Sequence, residues 1–255
     1  MITGASSGLG REFAYLCAAA GHNLMLIARS GERLIQIGSE IETSYKVTVI
    51  NIVADLGCVE SIQKIQHKLS SENIFVNILI NAAGAGKIEK FCDSDPDVNR
   101  YFLNLNIASI VYLNRLVLQE MINRNEGRIL NVSSTAAFIP GPWFSLYHAS
   151  KSFIFQFSRS LSYELKNSDV KVTVFCPGQM NTKFQAAAGM SRRMQSKKLV
   201  SPENVAVYGF KAMLKGKPVS IYGLCNQIKY YFIMLIPDKI LLFLAAKNNI
   251  SKINT

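Results

Sequence analysis

The sequence is short of everything that would build a metal site or a disulfide framework. Its five cysteines, Cys17, Cys58, Cys92, Cys176 and Cys225, contain no Cys-x-x-Cys pair. Most stand in apolar surroundings and read as small core residues of a protein kept in a reducing, cytoplasmic setting. The three histidines, His22, His67 and His148, are too dispersed for zinc, so no metal is expected. No low-complexity linker and no solenoid-period repeat occurs, which excludes a string of modules or an array. Acids are also scarce: 17 against 28 Lys and Arg, a net charge of +11. No recognised nucleic-acid module accompanies that excess, so nucleic acid is not an expected partner.

What is present is alternation. Apolar strand-like runs near residues 1–3, 23–28, 47–52, 76–81, 128–133, 171–176 and 218–222 alternate with helical patterns throughout the 255 residues. This predicts an α/β fold, a doubly wound parallel sheet of about seven strands with helices on both faces. One catalytic domain, 1–222, is expected to be followed by a short apolar helical extension, 223–255, that is not a domain of its own.

The first run leads into Gly4-Ala5-Ser6-Ser7-Gly8-Leu9-Gly10 and then an amphipathic segment (Phe13, Leu16, Cys17, Ala20) that Gly21 closes. A strand, glycine turn and helix in this order let the backbone approach a pyrophosphate, held by free amides and the positive end of the helix dipole. The second run ends in Arg29, with Ser30 beside it and Arg33 one turn on. An acid at that place would hydrogen-bond a ribose 2′-hydroxyl; arginine favours a 2′-phosphate, hence NADP(H) over NAD(H).

Ser134 stands before Tyr147 and Lys151 in the stretch NVSSTAAFIPGPWFSLYHASKSF, read as strand end, loop and helix. Tyr147 and Lys151, at i and i+4, share a helix face. A positive charge about 4 Å from a phenol, at an effective dielectric of about 20, favours the phenolate by roughly 4 kcal/mol. That predicts a Tyr147 pKa lowered by about 3 units from its ordinary value of about 10, into the range useful for acid/base work. His148 adjoins the tyrosine but points elsewhere on the helix.

With these residues in order, the chain resembles the short-chain dehydrogenase/reductase (SDR) family, NADP-preferring type, over nearly its whole length. The family's glycine turn matches Thr3 to Gly10, its adenine-contact aspartate Asp55 in Val-Ala-Asp-Leu, and its Asn-x-Ala-Gly signature Asn81-Ala82-Ala83-Gly84. Its helix asparagine matches Asn106, its serine, tyrosine and lysine Ser134, Tyr147 and Lys151, and its proline-glycine turn and following threonine Pro177, Gly178 and Thr182. The resemblance implies a Rossmann-type fold and hydride transfer between NADP(H) and a carbonyl or secondary alcohol. Tyr147 would be the general acid/base, Ser134 would orient the oxygen, Lys151 would tune the tyrosine and bind the nicotinamide ribose, and Asn106 would hold a water leading from Lys151 to solvent. Ser133 is the fallback for Ser134 if the register slips by one. The cofactor would be held by Thr3, Gly4, Ser6, Ser7, Gly8, Leu9, Gly10, Arg29, Asp55, Leu56, Asn81, Ala82, Gly84, Tyr147, Lys151, Pro177, Gly178 and Thr182. A nucleotide-binding scaffold without turnover is the alternative, since a fold alone does not choose; the intact quartet favours the enzyme.

Other features set expectations about substrate and partners. The segment 97–123 and the helix carrying Phe153, Ile154, Phe155 and Phe157 are apolar around most of their circumference, which calls for burial on two sides. The resemblance implies that they pair with a second subunit, giving a homodimer or homotetramer. Arg192, Arg193, Lys197 and Lys198 fall where the family has a flap over the substrate, and would attract an acidic one. Phe138, Trp143, Phe144 and Phe184 suggest a lipophilic ligand, fatty-acyl or steroid-like, or else core packing. Two apolar runs, 228–236 and 240–246, flank Pro237-Asp238-Lys239. Each is shorter than the roughly 20 residues of a bilayer span, and reads as a short helix for a membrane interface or for the cleft and subunit partner. Only Met1 and Ile2 precede the turn threonine, so either the native start lies upstream or the first strand is shortened at a cost to the core.

Overall fold

The computed structural model describes residues 1–190, 199–233 and 235–253. The basic cluster Arg192, Arg193, Lys197 and Lys198 lies outside the described residues. Seven strands form one sheet: β1 (Ile2–Thr3), β2 (Leu24–Ala28), β3 (Val49–Val53), β4 (Ile78–Asn81), β5 (Gly127–Val132), β6 (Val170–Cys176) and β7 (Val219–Ile221). Their order is β3-β2-β1-β4-β5-β6-β7, parallel throughout. Every residue of β2 and β4 is buried, as continuous apolar runs in a sheet covered on both faces require.

Side-chain alternation along the strands divides the core. Leu24, Leu26, Ile80 and Leu130 face the helices α1 (Gly8–Ala19), α2 (Gly31–Tyr45) and α8 (Pro202–Leu214), meeting Phe13, Leu34 and Phe210. Met25, Ile27, Leu79 and Ile129 face the opposite layer, meeting Ile65 of α3 (Val59–Ser71), Leu113 of α5 (Ser109–Arg124) and Leu161 of α6 (Ser145–Glu164). Each such side chain, fully buried, contributes roughly 1.5–3 kcal/mol. The strand order reverses between β1 and β4, which opens a crevice beyond their carboxyl ends.

Strand β1 is short but keeps ladder partners on both sides: Ile2 is in register with Leu26 and Ile80, and Thr3 with Ile27 and Asn81. The Met1 carbonyl also accepts from Ile80 N at 2.9 Å; with two pairs on each side against five between β2 and β3, the strand is the short one that the sequence led us to expect. The apolar segment 97–123 becomes α4 (Pro96–Leu103), a π-helical turn (Asn104–Ala108) and α5. Asp95 begins it, its carboxylate accepting from Asp97 N and Val98 N, with Pro96 preset at the first helical position. By length and composition the whole run Pro96–Arg124 could cross a membrane, yet Leu105, Leu113, Val117 and Met121 are buried against the sheet.

Two readings of side-chain environment need correction. Only Cys17 and Cys176 are buried, whereas Cys58, Cys92 and Cys225 are exposed on helix starts or loops, because a polar neighbour set outweighs one small thiol. Phe138 does not join the other cleft aromatics: it packs with Phe155 and Tyr230 beyond the sheet. Pro237 separates α9 (Leu224–Ile233) from α10 (Asp238–Ile253), two helices broken where the proline predicts.

Candidate active site

Thr3 ends β1 with its hydroxyl accepting from both Ala82 N and Ala83 N, each at 3.1 Å, so it ties the glycine turn to the loop after β4. Gly4 then turns with φ +69°, and a Cβ there would sit 2.9 Å from Ala83 N. Gly10 carries α1 against that turn, where a Cβ would lie 2.2 Å from the Gly4 carbonyl oxygen. The Ser7 side chain does not cap α1. Its first amides therefore remain for a ligand, in a cradle that Cβ atoms would fill. Ser6, Ser7 and Gly8 line a cleft with Arg33, Thr182 and Lys183. Leu9 and Leu56 are buried, in the cores on opposite faces of the sheet.

At the end of β2 the Arg29 guanidinium donates to the Tyr101 hydroxyl at 2.8 Å and stands 3.9 Å from the Asp55 carboxylate. Tyr101 in turn donates to Asp55 Oδ1 at 3.0 Å. Tyr101 was hidden in the sequence among the apolar residues of its helix. Gly57 makes room for it, since a Cβ at that position would come 2.1 Å from the Tyr101 ring. Burial and the hydrogen bond to Asp55 push the Tyr101 phenol up to about 12, so it stays neutral and serves as a bridge.

Asn81 ends β4, its side chain donating to Asn131 Oδ1 at 2.8 Å in a buried network that continues to Asn114 and Ser158. Asn106 occupies the π-helical turn, a geometry frequent at functional sites. Its side-chain amide accepts from Ala85 N at 3.0 Å and donates to Ala85 O at 2.8 Å, as a peptide in a ladder would. A Cβ at Gly84 would lie 3.3 Å from both Asn106 Oδ1 and Lys151 Nζ. Those two side chains therefore converge on one glycine.

The strand end of β5 sorts its two serines to opposite sides. Ser133 donates to Lys151 O at 2.7 Å and is buried. Ser134 accepts from Ala136 N at 3.1 Å and hydrogen-bonds the Tyr147 phenol. Lys151 Nζ donates to Val132 O at 3.0 Å and lies 5.7 Å from the Tyr147 ring centre. Tyr147 keeps some surface in the cleft, but its hydroxyl is enclosed. Burial pushes that phenol up to about 12, against a smaller lowering from Ser134, and brings the Lys151 ammonium down to about 8. The expected depression of the tyrosine is thus overturned. The lysine nitrogen leans toward the strand carbonyl, and loss of water around the phenolate dominates the shift.

Phe144 stacks on Tyr147 at 4.5 Å, Phe184 tilts against it at 5.2 Å, and Trp143 joins them at φ +62°. A cleft beside Tyr147 is lined by Gly86, Phe91, Phe102, Asn106, Trp143 and Leu146. His148 is a loop support: its Nδ1 faces Ile139 O at 3.0 Å, and its ring fills the space a Cβ at Gly141 would need. Pro177 receives a bond from Thr135 N at its carbonyl. Gly178 lies against Asn226, and Thr182 reaches within 3.6 Å of a Cβ built on Gly8, closing the phosphate side. Among the described residues no group of three or more His, Cys, Asp or Glu is placed to hold a metal.

Residues 1–192 match the family model for short chain dehydrogenase. The chain belongs to the short-chain dehydrogenase family. It is 34% identical over 188 residues to very-long-chain 3-oxoacyl-CoA reductase-B of Danio rerio, covering 72% of this chain and 60% of that one. It is 34% identical over 184 residues to human (Homo sapiens) 17-beta-hydroxysteroid dehydrogenase type 3, covering 71% and 59%. The chain thus spans about three-fifths of the length of these curated relatives. In structure it is similar to a short-chain dehydrogenase from Sphingobium yanoikuyae in complex with NADPH, with a TM-score of 0.84, 25% identity and coverage of 100% of this chain and 95% of that one.

Proposed function

We propose that this SDR transfers a hydride between NADP(H) and a carbonyl or secondary alcohol of a lipophilic substrate of the fatty-acyl or steroid-like class. The observation that carries the reading is the meeting of Ser134 and Lys151 with Tyr147, which lines a cleft together with Asn106. The residues fit the nucleotide: the uncapped start of α1, the glycine cradle and the cation at the end of β2 form an anion-binding series. NADPH in the Sphingobium enzyme supports the phosphorylated form, as does Arg29, which Tyr101 holds while occupying Asp55. When bound, the nucleotide supplies or accepts the hydride.

In this reading Thr3, Gly4, Ser6, Ser7, Gly8, Leu9 and Gly10 hold the pyrophosphate, Arg29 the 2′-phosphate, and Asp55 and Leu56 the adenine side. Asn81, Ala82, Gly84, Pro177, Gly178 and Thr182 border the nicotinamide half together with Tyr147 and Lys151. A phenol held neutral near pH 7 is suited to donate a proton to a carbonyl oxygen as the carbonyl is reduced. Ser134, fixed by Ala136 N, donates to the same oxygen and spreads its developing charge. Lys151 and Asn106, converging at Gly84, return a proton to Tyr147 from solvent. Trp143, Phe144 and Phe184 exclude water and supply the apolar wall. Residues 1–222 carry this catalysis and 223–255 extend it. The protein works as a homodimer or homotetramer on the cytoplasmic side, with the extension available for peripheral membrane contact.

Tyr147→Phe should lower NADPH-dependent reduction of a long-chain 3-oxoacyl thioester or a steroid ketone by about 100-fold or more, with NADPH affinity by fluorescence changed less than about threefold. Wild-type protein should prefer NADPH to NADH in the same assay. Unaltered turnover in the variant refutes the role of Tyr147. NADPH binding with no wild-type turnover on either substrate class favours the scaffold reading.

A further inference from the structure

Helix α9 has two unlike faces. Inward, Tyr230 packs on Phe138 at 4.7 Å and Phe155 at 5.8 Å, and Gln227 bonds Ile221 O at 2.9 Å and the Tyr208 hydroxyl at 3.2 Å. Outward stand Leu224, Ile228, Tyr231, Phe232 and Leu235, between 47% and 76% exposed. The spacing of the first four, 4, 3 and 1, is that of one helical stripe, and Leu235 follows in the turn just beyond the helix. After Pro237, α10 shows Ile240, Phe243 and Leu244, again at helical spacing and at least half exposed. Its other side buries Ala245 and Asn249, and Asn249 donates to Pro142 O at 3.0 Å. Helix α9 therefore holds Phe138 and α10 the loop that carries Trp143 and Phe144, while the two helices and the turn between them leave nine large apolar side chains exposed, Leu242 included.

We propose that this face docks on a lipid bilayer bearing anionic headgroups, with the cleft mouth toward the lipid. Charge selects this occupant. Lys229, Lys239 and Lys247 flank the apolar stripe and are exposed, against the single acid Asp238. Lys211 and Lys215 are exposed on α8, beside Tyr208, and the whole chain carries +11. An apolar stripe edged with lysines and containing tyrosine is what interfacial helices present to headgroups. A second copy of the chain fits less well, because a two-fold contact through this face would bring the same lysines together. The docking stands on the surface alone; the advantage of receiving a substrate from the bilayer rests on the lipophilic-substrate reading.

The test is sedimentation of the full chain with two kinds of vesicle, phosphatidylcholine alone and phosphatidylcholine mixed with phosphatidylglycerol. Wild type should pellet with the mixed vesicles, less with the neutral ones, and less in both at high salt. Phe232→Glu combined with Phe243→Glu alters only exposed side chains and should cut partitioning by at least about tenfold, with thermal unfolding unchanged. Wild type left in the supernatant with both vesicles, or a double variant that pellets like wild type, overturns the proposal. So does a concentration-dependent dimer that the double variant abolishes in light scattering, which assigns the face to a second copy. Sedimentation involves no turnover, so an inactive protein that pellets would refute the enzymatic reading and leave this one standing.

Discussion

Lys151 carries a charge into a place that resists it. Burial takes its pKa from 10.5 to about 8, so between those values the unfolded chain holds a proton that the folded chain does not. Stability then rises with pH across that interval. Cys17 and Cys176 act the other way: burial lifts their thiols from 9.0 to about 11 and about 12, and the folded state loses ground once unfolded thiols ionise. Burial also lowers the Met1 amine from 8.0 to about 6, so between about pH 8 and 9 the lysine, worth up to ~1.4 kcal/mol per pH unit, acts beside the last of the amine's rise and against the first of the thiols' fall. Urea midpoints for wild type should rise relative to those for Lys151→Met across this interval; equal slopes would show that Lys151 enters the fold at no cost. The pairing of Tyr147 with Lys151 was legible because helical spacing fixes which side chains share a face. The direction of the tyrosine shift was not, since spacing says nothing of how deep the hydroxyl lies. Tyr101 was illegible for a related reason: on an amphipathic helix a bridging phenol and a packing ring look alike.

The turn between β1 and α1 shows what a glycine does when backbone crowds it. A Cβ at Gly10 would lie 2.2 Å from the Gly4 carbonyl oxygen and 3.0 Å from that of Thr3, neither of which can rotate away. Gly10→Ala must push α1 off the turn and spoil the amides aimed at the crevice. The expected cost is about 1–3 kcal/mol, read as a lower melting temperature together with at least about tenfold weaker NADPH binding. Gly21→Ala is the control: its φ of +81° brings strain, but nothing lies within 4 Å of the new Cβ, so NADPH affinity should hold. Equal losses in both variants would mean that the turn is not the phosphate site. Element positions were largely visible beforehand, since buried parallel strands are unbroken apolar runs bounded by polar helices. The π-helical turn at Asn104–Ala108 was not, because the segment is apolar around most of its circumference, which hides the change of phase of about 100° that an extra residue brings.

At the scale of the whole molecule, the apolar residues that the sheet does not absorb fall on two separate surfaces. One is the C-terminal stripe. The other lies on α4 to α6, where Leu103, Tyr112, Ile122 and Phe153 stay exposed and Phe153 stacks on Phe157 at 5.9 Å. The helix that aligns Tyr147 and Lys151 along its first turns thus carries aromatic rings on the exposed face of its middle turns. Around Phe153 and Tyr112 the exposed groups include Glu120, Arg124, Gln156 and Arg159, of mixed sign, with Arg124 and Glu120 paired at 2.6 Å. Mixed charge around an apolar centre suits a protein partner, and a two-fold copy of itself can match it. Light scattering at micromolar concentration should report a dimer or tetramer. Tyr112→Glu with Phe153→Glu should shift it to the monomer mass without affecting vesicle sedimentation. A monomeric wild type would refute the subunit contact, whereas a double variant that stays oligomeric would move that contact to another face.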